Sequence, residues 1–256
     1  MNDNLIFLSE QELDKPIYRI FSFDRLKEIF ESNSLTLVKP KLWDDPFENF
    51  ILNSTGVLPD GREFQNEFRD SFYGQCWSFT KESDAMWRIY SHEKNGVKVK
   101  TTINKLFKPL FLYGGVHHKI NGNLYNLKSF IGRVKYQSAE RLMRMLTDRE
   151  RMSNKIFDQT GWGQASSFYF KRWAFRHENE VRLMFNEPYN CQDRFFSLDI
   201  DPFDLIDEIV FDPRMSFEDY EEKKSDVINW GFNKRVTQSE LYKIKEFKML
   251  LRNINE

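Results

Sequence analysis

The chain has 256 residues, 40% hydrophobic and 16% aromatic, with 25 Phe. That is enough apolar surface for a core and excludes a disordered chain, and a formal net charge of −1 excludes a global field drawing it to nucleic acid or an anionic membrane. Two cysteines, Cys76 and Cys191, exclude a disulfide framework and a Cys-x-x-Cys zinc knuckle and suit a reducing compartment.

The first ten residues carry a short apolar run, Leu5 to Leu8, without a basic lead. They do not fit a signal peptide. No apolar run approaches the ~20 residues of a membrane helix. The expectation is a cytoplasmic protein with no membrane partner. Without a Pro/Gly/Ser linker or an internal repeat, the chain reads as a single domain over 1–256.

In chain order, Ile17-Tyr18-Arg19-Ile20-Phe21 reads as a strand. Ser22 or Asp24 caps a helix through about Ser32, with Leu26, Ile29 and Phe30 on one face, and Asn33 suits its end. Leu35 to Val38 is a second strand, stopped by Pro40. Lys41 to Glu48 is a loop with a turn at Asp44-Asp45-Pro46. Gly74 to Thr80 is strand-like. Ser83 or Asp84 caps a short helix holding Met86, Trp87 and Tyr90. Asn95-Gly96 turns into the alternating strand Val97 to Thr101.

The segment of about 104–165 reads as a helical and loop-rich insertion. Within it, Arg133 to Tyr136 suggests a strand and Ala139 to Phe157 one helix. Ser166 to Arg172 reads as helical. From Trp173 to Phe185 the chain alternates as a half-buried strand does. Trp173, Phe175, Val181, Leu183 and Phe185 fall on one face, and Arg176, Glu178, Glu180 and Arg182 on the other. On such a strand the two carboxylates stand roughly 6.5–7 Å apart along one side of a sheet. Asp204 to Phe211 closes the core, Phe217 to Trp230 is a helix, and Glu240 to Leu251 a strand or a helix. Strands and helices mix without strict βαβ order. The fold class expected is α+β, with mixed or antiparallel sheets and flanking helices.

Each candidate site has a plain structural alternative. Arg19 in an apolar strand is a phosphate or carboxylate clamp, or an edge arginine reaching water. Cys76, Ser78 and Thr80 form a small polar face that leaves room for a ligand, or one covered by a loop. Trp87 and Tyr90 have the spacing of a core stripe, the alternative being a platform for a flat ring. The arginines of the Ala139–Phe157 segment form a solvated face balanced by Asp148 and Glu150, or touch phosphate. His92, His117, His118 and His177 show no ligand spacing, so no metal is expected. The chain lacks a Gly-x-Ser-x-Gly elbow, a Walker loop and a Gly-x-Gly-x-x-Gly turn.

Four segments together resemble a bacterial family known as domain of unknown function 2971. They are Ile17-Tyr18-Arg19; Leu42-Trp43-Asp44-Asp45-Pro46-Phe47-Glu48; Cys76 to Thr80 with Met86-Trp87-Arg88-Ile89-Tyr90 and Gly96-Val97; and Trp173 with Glu178-Asn179-Glu180-Val181-Arg182. Asp44 departs from the family's usual Asn. The opening Tyr18-Arg19-Ile20, helix and strand also resemble the start of DNA-modifying ADP-ribosyltransferase toxins. In the wider class an early strand supplies Arg or His, a middle strand Ser or Tyr, and a late strand Glu. The order here is Arg19, Ser78, then Glu178 or Glu180.

That second resemblance implies an ADP-ribosyltransferase-like fold and an enzyme that uses NAD to modify a macromolecule, nucleic acid or protein, as a toxin or antiviral defence effector. Glu180 and Glu178 would be catalytic, because a fixed carboxylate stabilises positive charge building on the ribose. Arg19, Ser78, Thr80, Trp87, Tyr90 and Arg182 would bind NAD or hold the carboxylates, with Arg176 sharing the last task. Two other readings are open. One is a non-catalytic module sensing a nucleotide or a protein partner. The other is a nuclease with Asp45, Glu48, Glu178 and Glu180 on a divalent ion.

Overall fold

Local signals start and stop the elements largely where the sequence places them. The Ser22 hydroxyl accepts the Arg25 N–H and opens a helix over Phe23–Ser32 (α1), which ends at Asn33 with φ 50°. Ser83 does the same for Asp84–Tyr90 (α2) through the Met86 N–H. Asparagine tolerates the left-handed conformation, and a serine cap satisfies one of the helix's orphan donors. The computed structural model describes residues 1–43, 45, 47–188, 192–244, 246 and 248–251, with the side chains of Glu67 and Arg69 excepted. Expectations that fall on Asp44, Pro46 and Cys191 lie outside the described residues.

The architecture is α+β. Among the described residues, ten strands form one mixed sheet. They are β1 (Leu5–Ile6), β2 (Pro16–Ser22), β3 (Ser34–Val38), β4 (Phe72–Ser78), β5 (Gly96–Thr102), β6 (Ser129–Arg133), β7 (Glu180–Asn186), β8 (Phe195–Asp199), β9 (Glu208–Phe211) and β10 (Arg235–Gln238). The main path runs β1-β6-β7-β4-β2-β5-β9-β10. The β1/β6 and β9/β10 pairs are parallel and the others antiparallel.

The sheet forks at β4. One edge of β4 pairs along its length with β7. The other edge changes partner, pairing with β2 through Tyr18 and Ser78 and with β3 through Val38 and Gly74. Cys76 lies midway between these two contacts. The Gln75 side chain spans the fork, donating to the Thr36 carbonyl at 3.0 Å.

Two large clusters and a small one at Ile20, Met86 and Trp87 cover the sheet. The larger of the two packs Ile17, Trp77, Val97, Val99, Val181 and Leu183 against helices. The smaller of the two gathers Ile6, Phe72, Phe130, Phe168, Tyr169 and Met184. A glycine is needed at position 74 on the second side, because a Cβ there would stand 2.7 Å from both the Trp43 ring and the Met184 sulfur. Trp43 can therefore lie flat over β4 and β7.

Three expectations are corrected. The Trp173–Phe185 run is not one strand: Trp173–Glu178 is a 3₁₀ helix, and Asn179 at φ 45° turns the chain into β7. Ala139–Phe157 is two helices, Ala139–Thr147 (α3) and Arg149–Ile156 (α4), because Asp148 stops the first and caps the second. The 104–165 segment supplies β6, which lies between β1 and β7 near one end of the sheet. Ser166–Arg172 contains only a 3₁₀ turn before a short strand, Phe170–Arg172, that pairs with Lys135–Gln137. Neither helix nor strand is found between Glu240 and Leu251 among the described residues. No helix among them is long and apolar enough to cross a membrane.

Candidate functional site

The register of β4 and β7 puts Ser78 opposite Glu180 and Cys76 opposite Arg182. Opposed residues share a sheet face, so all four project toward the smaller cluster. Over them fold three other pieces of chain: the turn at Asp45–Glu48, the Phe170–Arg172 strand and the 3₁₀ helix ending in Glu178.

Lys171 stands at the centre. Its Nζ is 2.7 Å from Glu48 Oε1, 2.5 Å from Glu178 Oε2 and 2.9 Å from Glu180 Oε1. The Arg182 guanidinium lies 2.6 Å from Glu180 Oε2 and 3.1 Å from Glu48 Oε1. It is fully buried, with Trp43 stacked 4.6 Å away. At the rim Arg172 Nη2 donates to Asp45 Oδ1 at 2.8 Å. All five core members, Glu48, Lys171, Glu178, Glu180 and Arg182, are buried.

Burial makes charge balance decisive, since an uncompensated charge in low dielectric is costly. Three carboxyl groups face two cations, so neutrality needs one bound proton. Glu178 is the member that holds it. Burial pushes its carboxyl up, helped by the hydrogen bond with Glu180 and that group's charge, to about 7. Glu180 goes the other way: burial would raise it, but Arg182 and Lys171 outweigh that and bring it down to about 2. Burial alone would lower Lys171, yet the three carboxylates raise it overall. The result is one ionised and one proton-holding carboxyl joined by a single ammonium.

Hydrogen bonds fix the Glu178 carboxyl and the backbone of both glutamates. The Tyr90 hydroxyl donates to Glu178 Oε1 at 3.1 Å. The Ser78 hydroxyl donates to the Glu178 carbonyl and accepts the Thr80 N–H at 2.9 Å. The Glu180 N–H donates to the Tyr136 hydroxyl oxygen at 2.9 Å. Burial raises both tyrosines, which keeps both hydroxyls protonated.

Arg19 is placed differently. Its register partner is Val99, so it leaves β2 on the larger-cluster face, whereas Tyr18 shares the face of Ser78. It lies beside the single point where β2 touches β4, within electrostatic range of Cys76 and Tyr90. Among the described residues its guanidinium has no hydrogen-bond or ion-pair partner; it stands 5.7 Å from the Phe21 ring. Burial brings it down to about 10.

The structure thus gathers Glu178, Glu180, Arg182, Ser78 and Tyr90, and leaves Arg19 at the fork beside them. Trp87 takes the core role of its stripe and not the alternative of a ring platform. It is fully buried against Ile20 and Met86, its indole N–H on Glu82. Arg176 does not hold the carboxylates; it is exposed and turned to the Trp173 carbonyl. Thr80 contributes its backbone N–H to Ser78. The carboxylates expected around a divalent ion do converge in part, but Glu48, Glu178 and Glu180 meet on the Lys171 ammonium and Asp45 meets Arg172. Sequence reasoning missed Lys171 and Tyr136. A lysine followed by Arg172 in an apolar stretch was the available signal for Lys171; nothing local marked Tyr136.

The profile of a protein family of unknown function, DUF2971, matches residues 86–183, less than half of the chain. No curated protein matches. Among solved structures, the chain is similar to Thermus sp. 2.9 DarT in complex with NAD+, at 16% identity and a TM-score of 0.39 over 89% of this chain and 96% of that one. It is also similar to Thermus sp. 2.9 DarT in complex with ADP-ribosylated ssDNA, at 15% identity and a TM-score of 0.36 over 89% and 95%.

Proposed function

We propose that the site transfers the ADP-ribosyl group of NAD to a macromolecular acceptor, nucleic acid or protein. The observation that carries the reading is the splitting of Glu178 and Glu180 into a carboxyl titrating near neutrality and a permanent carboxylate. A pair pushed apart in this way divides acid–base work from charge stabilisation.

Glu180 is the carboxylate that stabilises positive charge developing on the ribose as nicotinamide leaves. Glu178, once ionised, takes the proton of the attacking acceptor group. Lys171 and Arg182 orient both and do not touch substrate. Tyr90 holds Glu178 through its hydroxyl. Arg19 takes the pyrophosphate. A desolvated guanidinium without an acceptor of its own suits that role, because its planar donors match phosphate oxygens. Ser78 shapes the floor by pinning the Glu178 backbone. The biological setting in keeping with this chemistry is that of a toxin or defence effector acting inside a cell.

The test is incubation of the purified protein with NAD labelled in the adenosine part, together with separate pools of nucleic acid and protein. Nicotinamide release with label on one pool is the expected result. Glu180→Gln abolishes it, and Arg19→Ala raises KM for NAD more than it lowers kcat. Absence of both release and label, or a Glu180→Gln protein that turns over as wild type does, sinks the reading. Calorimetric NAD binding without turnover would support a nucleotide-sensing module in its place.

A further inference from the structure

On the far side of Phe170 from the ion-pair network lies a cavity of about 610 Å³, within the range of small-molecule sites. Phe7, Trp162, Lys155, Arg151 and Asp158 line it. Three features of these residues lack an explanation in the fold alone.

The first is Lys155. It is only 8% exposed. Its ammonium donates to the Ser166 hydroxyl and sits 5.7 Å from the Trp162 ring and 5.4 Å from the Phe170 ring. Among the described residues it has no ion-pair partner, and one hydrogen bond leaves two of its three donors unused. The second is that Asp148 and Asp158, two of the three carboxylates in the lining, are held by backbone N–H groups, while the third, Glu150, stands exposed. Asp158 accepts from the Thr160 N–H, the Thr160 hydroxyl and the Gly163 N–H. Asp148 caps α4 through the Arg151 N–H. The third is Phe7, which adopts φ 55°, a conformation bulky residues avoid. That backbone sets its ring edge-on to Trp162 with centroids 6.1 Å apart. Strain of this kind collects at ligand sites.

We propose that this cavity is a second binding site, for a small anionic ligand with a flat ring. The anion rests on Lys155 and Arg151, and the ring lies against Phe7 and Trp162. Burial, reinforced by Arg151, lowers the Lys155 ammonium to about 8. A bound anion relieves that desolvation. The ring needs the apolar wall, because the two cations alone would hold any small anion equally well.

Phenyl phosphate is the probe, with inorganic phosphate and benzyl alcohol as its separate halves. Binding is followed through the Trp162 indole N–H signal in an ¹H–¹⁵N spectrum, assigned by its loss in Trp162→Phe. Phenyl phosphate is expected to shift that signal saturably and more tightly than either half. Lys155→Met should weaken it about tenfold to a hundredfold, the worth of a hydrogen bond to a charged group. Arg151 is exposed, so Arg151→Gln keeps the fold and should still weaken binding severalfold. A signal that does not move, or equal affinity in wild type and Arg151→Gln, overturns the site. Inorganic phosphate binding as tightly as phenyl phosphate overturns the role of the ring. The NAD assay is independent of this cavity, so the two proposals fail separately.

Discussion

Arg182 stands two residues from Glu180 on one strand, and its guanidinium, fully buried, meets that nearly buried carboxylate at 2.6 Å. The pair is buried because Trp43 closes over it and Phe168 offers its carbonyl from below. An ion pair so placed is weak evidence for stability in itself, but removing one partner is severe, since the other is left charged in low dielectric. Arg182→Met is therefore expected to destabilise the protein by about 3–5 kcal/mol. Urea unfolding of the two proteins measures it. A loss below about 1 kcal/mol, typical of an exposed pair, would show that water reaches Glu180.

The two glutamates give stability opposite pH dependences. Glu178 has a folded pKa of about 7, raised from 4.5, so the folded state binds more protons than the unfolded one between those values. Its contribution is complete below about pH 4.5 and is lost as pH rises through 7. Glu180 is lowered to about 2, so its contribution is present above pH 4.5 and is lost as pH falls through 2. The contribution of the pair is expected to be greatest near pH 4.5, where the two windows meet, and to decline toward pH 7 and toward pH 2. Because the groups are coupled, the pair rather than each residue titrates. Carbon-detected NMR of the side-chain carboxyls should show one midpoint near neutrality and one carboxylate that stays ionised to pH 3; two midpoints near 4.5 would refute the splitting.

Tyr90 tests the hydroxyl that reaches Glu178. Tyr90→Phe keeps the ring and removes one donor, at an expected cost of about 0.5–1.5 kcal/mol. A donor to a carboxylate favours its ionised form. The substitution should therefore move the neutral midpoint upward, and with it any activity that requires ionised Glu178. An unchanged midpoint would place the hydroxyl on water instead.

Arg19 should behave unlike Arg182. Its guanidinium has no acceptor among the described residues, and the residue is half-buried. Arg19→Met is expected to leave stability unchanged or to raise it, since burying an unpaired charge is a cost to the fold. The same substitution should weaken NAD binding about tenfold or more, the range for a hydrogen bond to a charged group. Thermal unfolding read beside calorimetric titration separates the two. A large loss of stability would mean that Arg19 holds the sheet and not a ligand.

Gly74 tests the packing that seals the site. Gly74→Ala places a methyl 2.7 Å from the Trp43 ring and the Met184 sulfur. The sulfur can shift but the indole cannot do so without uncovering Arg182, so a loss of about 1–3 kcal/mol is expected. Fluorescence of Trp43 should move toward that of a solvated indole. If stability and emission both stay as in wild type, Trp43 is not the lid over Arg182.

The sequence by itself determined the elements whose signals are local. Serine caps at 22 and 83, asparagine at 33, and alternation over β2, β4 and β5 each act within a few residues, and the chain obeys them. Ser78, Tyr90, Glu178, Glu180 and Arg182 could also be singled out, because charged and hydroxylic residues among aromatics are conspicuous wherever they fall. Tertiary structure decided the rest. Alternation from Trp173 to Phe185 is equally consistent with a strand and with a 3₁₀ turn feeding one, and Asn179 in the left-handed region selected the turn. Glu48 and Lys171 are remote in sequence, so no spacing could announce that they meet. Whether Glu178 and Glu180 faced water or protein could not be read from their period of two, which fixes a face and not its surroundings. The fold closed Trp43, Tyr90 and Tyr136 over that face, and burial turned a row of ordinary charges into a network that must balance itself.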